Sequence, residues 1–366
     1  MTSQRDGFTT GTCAAAAAKA ATLLLETNTA PTCVDITLPG GERATLPVLY
    51  AKMTDGAAEA GIRKDAGDDP DITDGAIVVA TASRTGRGGI SLAGGGGVGI
   101  VTKLGLSVAP GEPAINPVPR RMIEDAVTEV AKGGVRVTIS IPGGEILAAK
   151  TFNPRLGIVG GLSVLGTSGR VRPFSCPAVR ASLQCLLDVA VAGGVAAPVF
   201  VPGRIGERAA KRHFPITDEQ LVAVGNEWGF IVDRAREYAF DELLIVGHPG
   251  KLAKLAAGDW DTHSSRSGSA VLWLSAFAAG VLDRPIPEAP TVEGIIAPLN
   301  GEQRKRLGDH LACRIRAAVL DRLYMQIPPP LCQRGDGVGG KTGISTVLID
   351  MKGEIIGTDG DLKRWQ

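Results

Sequence analysis

Four stretches of the 366-residue chain combine polar side chains with the glycines and prolines that let backbone approach a ligand. The first is TTGTC at 9–13, where Thr9, Thr10 and Thr12 surround Gly11 at the expected start of a helix. The free N–H groups of a first turn and three hydroxyls could hold a carboxylate, and the same residues also serve as ordinary helix caps. The second is VGIVTKLGLSVAPGEPAINPVPR at 98–120, a proline-stiffened loop with Lys103, Glu112, Asn116 and Arg120. Long loops with fixed φ angles are more often functional than filler. The third is NPRLGIVGGLSVLGTSGRVRPFS at 153–175, where Arg155, Arg170 and Arg172 are interleaved with glycines. A guanidinium fork suits two-point capture of carboxylates, although an exposed arginine is usually just a solvated face. The fourth is VGHPGKLAKLAAGDWDTHSSRS at 246–267. It places Gly247, His248, Gly250 and Lys251 at the carboxyl end of an expected parallel strand, where open α/β sheets bind ligands. His248 and His263 are its candidate acids or bases, against the commoner role of histidine as a hydrogen-bonded structural residue.

Two other strings match nucleotide-binding patterns without the context those patterns need. GDGVGGKT at 335–342 satisfies GxxxxGK[ST], but IPPPLCQR precedes it and the β-branched run ISTVLI comes after it. A P-loop needs a strand before it and a helix after it, so the string is expected to be a glycine-rich turn and Lys341 to be dispensable. Gly94, Gly96 and Gly99 satisfy GxGxxG, again without a helix after them. Both strings still imply close approach of backbone to something.

Composition sets the frame for these residues. Lys plus Arg number 39 against 38 Asp plus Glu, a formal net charge of +1. No global field draws the chain to nucleic acid or an anionic membrane, so any bound anion must meet a local cluster. Hydrophobic residues at 44% and charged residues at 21% fit a folded globular protein, and 49 glycines with 4% aromatics imply many turns around small-residue packing. Six cysteines without CxxC spacing and four histidines without HxxxH spacing point to a cytoplasmic protein with no protein-bound metal. The apolar run SAVLWLSAFAAGVL at 269–282 is too short to span a bilayer and reads as a buried helix.

The elements that must position the four stretches are set by periodicity and punctuation. Helices are expected at 13–26, 119–131, 177–192, 207–213, 217–238, 251–258 and 300–324. Strands are expected at 33–38, 44–50, 76–82, 98–102, 135–141, 198–201 and 242–247, with a closing hairpin around Lys352 and Gly353. The resulting fold class is an α+β first domain over 1–195 with a Rossmann-like α/β second domain over 196–285. A C-terminal α/β segment, 286–366, packs on both.

The four stretches, in this order, resemble the CbiD family, the cobalt-precorrin-5B C-1 methyltransferases of corrin-ring biosynthesis. The resemblance rests on TTGTCAAAAAKAA, GEPAINPVPR, NPRLGIVGGLSVLGTSG, and GHPGKLAKLAAG followed by THS, and runs from about residue 7 to 267. Where many relatives carry acidic residues after the His-Ser pair, this chain has Arg266, Ser267, Gly268 and Ser269. The resemblance implies methyl transfer from S-adenosylmethionine to a ring carbon of a carboxylate-fringed tetrapyrrole, with or without cobalt. Thr9, Thr10, Gly11, Thr12, Lys103, Asn116, Arg120, Arg155, Arg170 and Arg172 would then serve the tetrapyrrole, and Gly247, Gly250 and Lys251 the methyl donor. His248 or His263 would take a proton from the ring system. Two rival classes stay open on the sequence: a noncatalytic tetrapyrrole carrier using the same arginines, and a P-loop nucleotide enzyme built on GDGVGGKT. A homo-oligomer is compatible with all three.

Overall fold

A computed structural model describes residues 4–86, 88–173, 175–324 and 342–366. The chain divides into two compact units, Met1–Ala178 and Val179–Gln366. The architecture is mixed α/β in both.

In the first unit, α1 (Thr10–Thr27) comes directly after the two-residue β1 (Gly7–Phe8) and is the central core element. Ala14 to Ala18, Ala20 and Ala21 are all fully buried. Alanine has strong helix propensity and no bulk beyond Cβ, so the helix can be covered on several sides at once. The single charge in this run, Lys19, reaches out to the Asp35 carbonyl at 2.8 Å and to the Glu129 carboxylate. The expected strand at 33–38 forms β2 (Cys33–Thr37), paired with β3 (Arg43–Pro47). The chain then makes a five-stranded sheet in the order β4 (Tyr50–Thr54), β5 (Ala57–Arg63), β6 (Ile77–Arg84), β10 (Val135–Ser140) and β7 (Ile90–Gly94). All its pairings are antiparallel except β10 with β7. One side of this sheet receives α1, which also packs on α2 (Pro117–Thr128).

The expected strand at 98–102 is broken at Gly99 into β8 (Gly97–Val98) and β9 (Ile100–Val101). These pair with β12 (Gly161–Leu162) and β11 (Ile158–Val159) respectively. The short α3 (Gly144–Ala148) packs beside β8 and β12, and β13 (Arg170–Val171) pairs with β1.

The second unit opens in α4 (Cys176–Ala192), which begins just before the division. Its sheet runs β15 (Leu221–Ala223), β14 (Val199–Val201), β16 (Glu242–Gly247), β17 (Gly343–Ile349), β18 (Ile355–Asp359). The first four strands are parallel and β18 is antiparallel. The two strands expected in a separate C-terminal segment therefore complete this sheet. Between them Gly353 turns at φ 83°, as the expected hairpin requires. The connections are α5 (Arg204–His213), α6 (Trp228–Ala235), α7 (Pro249–Ala256), α8 (Ala270–Leu282), α9 (Val292–Ile296) and α10 (Gly301–Tyr324). Leu244, Ile245 and Val246 in β16 and Val347, Leu348 and Ile349 in β17 are fully buried, as strands covered on both faces must be.

Two expectations need correction. The helix expected at 217–238 is instead a single 3₁₀ turn at Asp218–Gln220, then β15, a turn at Gly225 (φ 66°), and only then α6. Leu221 and Val222 belong to a short apolar run that pairs with β14 and is buried, so tertiary pairing overrides helical periodicity. Secondly, α8 is not buried all round. It buries Ala270, Leu274 and Ala278 along one stripe, while Leu272 is 82% exposed.

Candidate functional site

The first three stretches converge within the first unit. The 97–101 and 158–162 strands lie side by side, Ile115 bridges to Val164, and the Asn116 N–H donates to the Val164 carbonyl at 3.0 Å. The start of α1 is tied to the same segment. Gly11 N–H donates to the Leu165 carbonyl at 3.0 Å and Thr9 N–H to the Gly169 carbonyl at 3.1 Å.

Glycine is required where these backbones meet. Gly97 has φ 75°, and a Cβ there would lie 1.8 Å from the Ile141 carbonyl oxygen. A Cβ on Gly161 would lie 2.3 Å from the Gly97 backbone, and one on Gly11 2.7 Å from the Pro119 ring. The glycine run therefore approaches its own chain.

The threonines that could hold a carboxylate are committed to this junction. Thr12 Oγ1 donates to the Gly169 carbonyl at 2.7 Å, and Thr9 Oγ1 caps the helix by accepting from Thr12 N–H at 3.2 Å. Thr10 Oγ1 accepts from Leu165 N–H at 2.9 Å and donates toward the Ser163 and Leu165 carbonyls. Their role here is to fix the 163–169 segment on α1.

Arg170 and Arg172 meet this chain's own carboxylates. Arg170 pairs with Glu42 and lies over the Phe8 ring at 4.8 Å, while Arg172 is 3.4 Å from Asp6 with its side chain 77% exposed. Arg170 and Arg172 thus face two different carboxylates. Lys103 packs its stem on Gly157, whose φ is 69°. Arg120, half-buried in the first turn of α2, has no side-chain partner among the described residues.

Sequence reasoning missed a group beside this junction. Lys64, 2% exposed, lies just past the end of β5 and donates to Asp71 Oδ2 at 2.7 Å. It lines a pocket of about 160 Å³ with Thr9, Thr10, Asp71, Asn153 and Ser163. Burial raises the Asp71 carboxyl, but the bonds from Lys64 and from Thr73 N–H outweigh it and leave Asp71 below its ordinary value.

The fourth stretch lies in the second unit, where the sequence places it: at the carboxyl end of β16. His248 caps α7, its Nδ1 accepting from Gly250 N–H at 2.9 Å and its Nε2 lying 2.8 Å from Glu293 Oε2. Because Nδ1 receives a backbone proton, the neutral ring carries its own proton on Nε2 and donates it to Glu293. His263 has the same tautomer, with Nδ1 accepting from Ser265 N–H at 3.2 Å. Neither ring offers a free lone pair as arranged, which argues against the expected base role. Replacing His248 with asparagine keeps a capping oxygen and should leave the single-turnover rate of the methyl transfer that the resemblance implies within a few-fold. A fall of a hundredfold or more, the usual scale for losing a general base, would restore that role.

Arg266 bridges Asp261 at 2.5 Å and the buried Glu227 at 3.4 Å. A Cβ on Gly247 would meet the Pro202 ring at 2.6 Å, so this glycine serves close packing. Lys251 and Lys254, successive on one face of α7, have no carboxylate partner among the described residues. Lys251 Nζ donates to the Gly225 carbonyl at 3.4 Å, and the buried Lys254 donates to Ser267 Oγ at 2.7 Å and the Thr262 carbonyl at 3.3 Å. Burial pushes the Lys251 ammonium below its ordinary value, and Lys254 adds to the shift.

The GDGVGGKT string lies, except for Thr342, outside the described residues. Thr342 leads directly into β17, a strand, so the helix that a P-loop requires at this point is not there. No helix among the described residues is long and apolar enough to cross a membrane.

A mixed α/β chain with a glycine-tight junction in one unit and cationic strand ends in the other has clear relatives. The chain belongs to the CbiD family. The family model named CbiD matches residues 1–173. A protein of Syntrophotalea carbinolica named cobalt-precorrin-5B C(1)-methyltransferase is 50% identical over 366 residues, covering 100% of both chains. A Methanocaldococcus jannaschii protein of the same name is 39% identical, covering 96% of this chain and 95% of its own. Among solved structures, a crystal structure of cobalamin biosynthesis protein from Archaeoglobus fulgidus is 31% identical. The match covers 72% of this chain and 83% of that one, with a TM-score of 0.39.

Proposed function

We propose that the chain transfers a methyl group from S-adenosylmethionine to C-1 of cobalt-precorrin-5B, or of its cobalt-free counterpart, in cobalamin biosynthesis. The observation that carries this reading is 50% identity over the whole chain to a protein named for that activity. When bound, S-adenosylmethionine supplies an electrophilic methyl on a sulfonium. The electron-rich macrocycle provides the carbon nucleophile, so the new C–C bond forms as the S–C bond breaks, its electron pair stays on sulfur, and a proton leaves the ring system to balance the charge. The reaction asks the protein for alignment within about 3 to 3.5 Å and exclusion of water rather than for a nucleophilic side chain.

The second unit supports a donor site. We read its four parallel strands and their connecting helices as Rossmann-like, with the cations Lys251 and Lys254 on α7, the helix after β16. We assign Lys251 to the donor's carboxylate, with Gly250 holding His248 in place. In the first unit, Arg120 is the cation best placed for a tetrapyrrole carboxylate among those the sequence singled out, since Arg170 and Arg172 are engaged by Glu42 and Asp6.

The test is anaerobic incubation with methyl-labelled S-adenosylmethionine and precorrin-5B, with and without cobalt. Label is expected at C-1. Tetrapyrrole binding with all label left in the donor would instead make the chain a carrier.

A further inference from the structure

Lys64 is a buried ammonium with three protons and one acceptor: Asp71 Oδ2 takes one, and no other described residue takes the remaining two. Asn153, 6% exposed, is in a similar state. Its Nδ2 donates one proton to the Gly161 carbonyl at 3.1 Å and keeps one spare, while its Oδ1 accepts from Ser163 Oγ at 3.2 Å. The hydroxyls of the pocket already have partners. The Thr10 hydroxyl serves the 163–165 backbone, Thr9 the helix cap, and Thr73 Oγ1 the Asp71 carboxylate. Buried donors without acceptors are costly, so this pocket is built for a ligand that brings oxygen acceptors and few protons of its own.

The remaining features narrow the ligand. About 160 Å³ leaves room for a small group such as a propionate arm. Leu162 and Val171 supply apolar wall, and Ile72 and Leu165, 42% and 48% exposed, mark the outer edge. Asp71 balances the Lys64 charge, and the N-terminal end of the 18-residue α1 adds positive potential where Thr9 and Thr10 line the pocket. The geometry points to a carboxylate subsite in which Lys64 and Asn153 hold one short side-chain carboxylate of the tetrapyrrole, positioning the ring for methylation. This inference rests on the methyltransferase reading above and names a substrate anchor that reading did not contain.

Removing Lys64 alone would leave the half-buried Asp71 carboxylate without its cation, so the test uses Lys64→Gln/Asp71→Asn, which stays neutral and close in shape. Ile72→Trp is the second variant, since it fills the pocket from an exposed position and leaves the ion pair intact. Precorrin-5B and its fully esterified form are titrated against wild type and both variants, with S-adenosylmethionine as the control ligand. The double variant should bind the free acid about ten- to a hundredfold more weakly, the scale of a charged hydrogen bond. Its preference for acid over ester should shrink by the same factor, and donor affinity should not change. Ile72→Trp should weaken acid binding without the double variant's risk to folding, and it decides alone if the double variant does not fold. Unchanged tetrapyrrole affinity in a folded variant overturns the subsite and leaves the methyltransferase reading standing. Failure of the wild type to bind the tetrapyrrole overturns both.

Discussion

Gly97→Ala should cost the first unit about 2 to 5 kcal/mol and take methyl transfer with it. Two independent penalties add. A φ of 75° puts an L residue in the left-handed region, at roughly 1 to 2 kcal/mol, and the added Cβ would sit 1.8 Å from the Ile141 carbonyl oxygen. Overlap with backbone is relieved only by moving backbone, at about 1 to 3 kcal/mol. The displaced partners are Ile141 and Gly161, and Gly161 begins the segment that carries Ser163 and Leu165 to the start of α1. Against a typical stability of about 5 to 15 kcal/mol, this is a large fraction. Thermal melting should show a fall of about 4 to 20 °C. Gly111→Ala is the matched control: its φ of 90° carries the same backbone penalty, but its Cβ would meet nothing within 4 Å. If the two variants melt together, the close approach at Gly97 contributes nothing and the junction is less tight than its geometry implies.

That junction shows why the site was only partly legible in the sequence. Glycine runs at 94–99 and 157–161 announce close approach, and proline stiffening at 110–119 announces an ordered loop. Neither reveals that residues 97–101 pair with 158–162, because two-residue strands have no measurable period and their partners are some 60 residues away. The alanine-rich α1, the helix ending in Tyr324 and the hairpin at Gly353 were legible because each is long or punctuated by a turn residue. The three-residue β15 was hidden in an amphipathic stretch that reads as helix until β14 is beside it.

Charged residues were legible least. Arg170 and Arg172 look like anion receptors beside so many glycines, yet their countercharges, Glu42 and Asp6, lie far away in sequence. Lys64 fails in the opposite direction. It stands in RKDAGDDPDITD, a stretch with five aspartates that reads as solvated surface, and only the packing of α1 and the 163–165 segment around it makes it a buried cation. The one local signal is Asp71 with Thr73, whose N–H and hydroxyl both bond the carboxylate in a compact turn.

Lys251→Met should weaken S-adenosylmethionine binding about tenfold and leave tetrapyrrole affinity unchanged. A charged hydrogen bond is worth about 1.5 to 3 kcal/mol when shielded, and Lys251 is only partly buried, which places the effect at the lower end. Methionine retains an unbranched apolar stem, so packing against α7's neighbours is largely kept. Burial, with Lys254 adding to it, lowers the Lys251 pKa, so the folded state holds the ammonium less readily than the unfolded chain does. Stability linked to this group therefore rises as pH climbs from the lowered value toward the ordinary one, and below that range the charge is a cost. The variant should accordingly melt at or above the wild-type temperature at neutral pH while binding the donor less well, a combination that a folding defect cannot produce. The same shift sets the pH dependence of binding. A donor carboxylate favours the ammonium and raises its pKa in the complex, so wild-type affinity should start to fall as pH rises through the lowered value of the free protein. Calorimetry in buffers of different ionisation enthalpy should show proton uptake on binding there, and the methionine variant should show none. Equal donor affinity in both proteins, with the same pH profile, would remove Lys251 from the donor site.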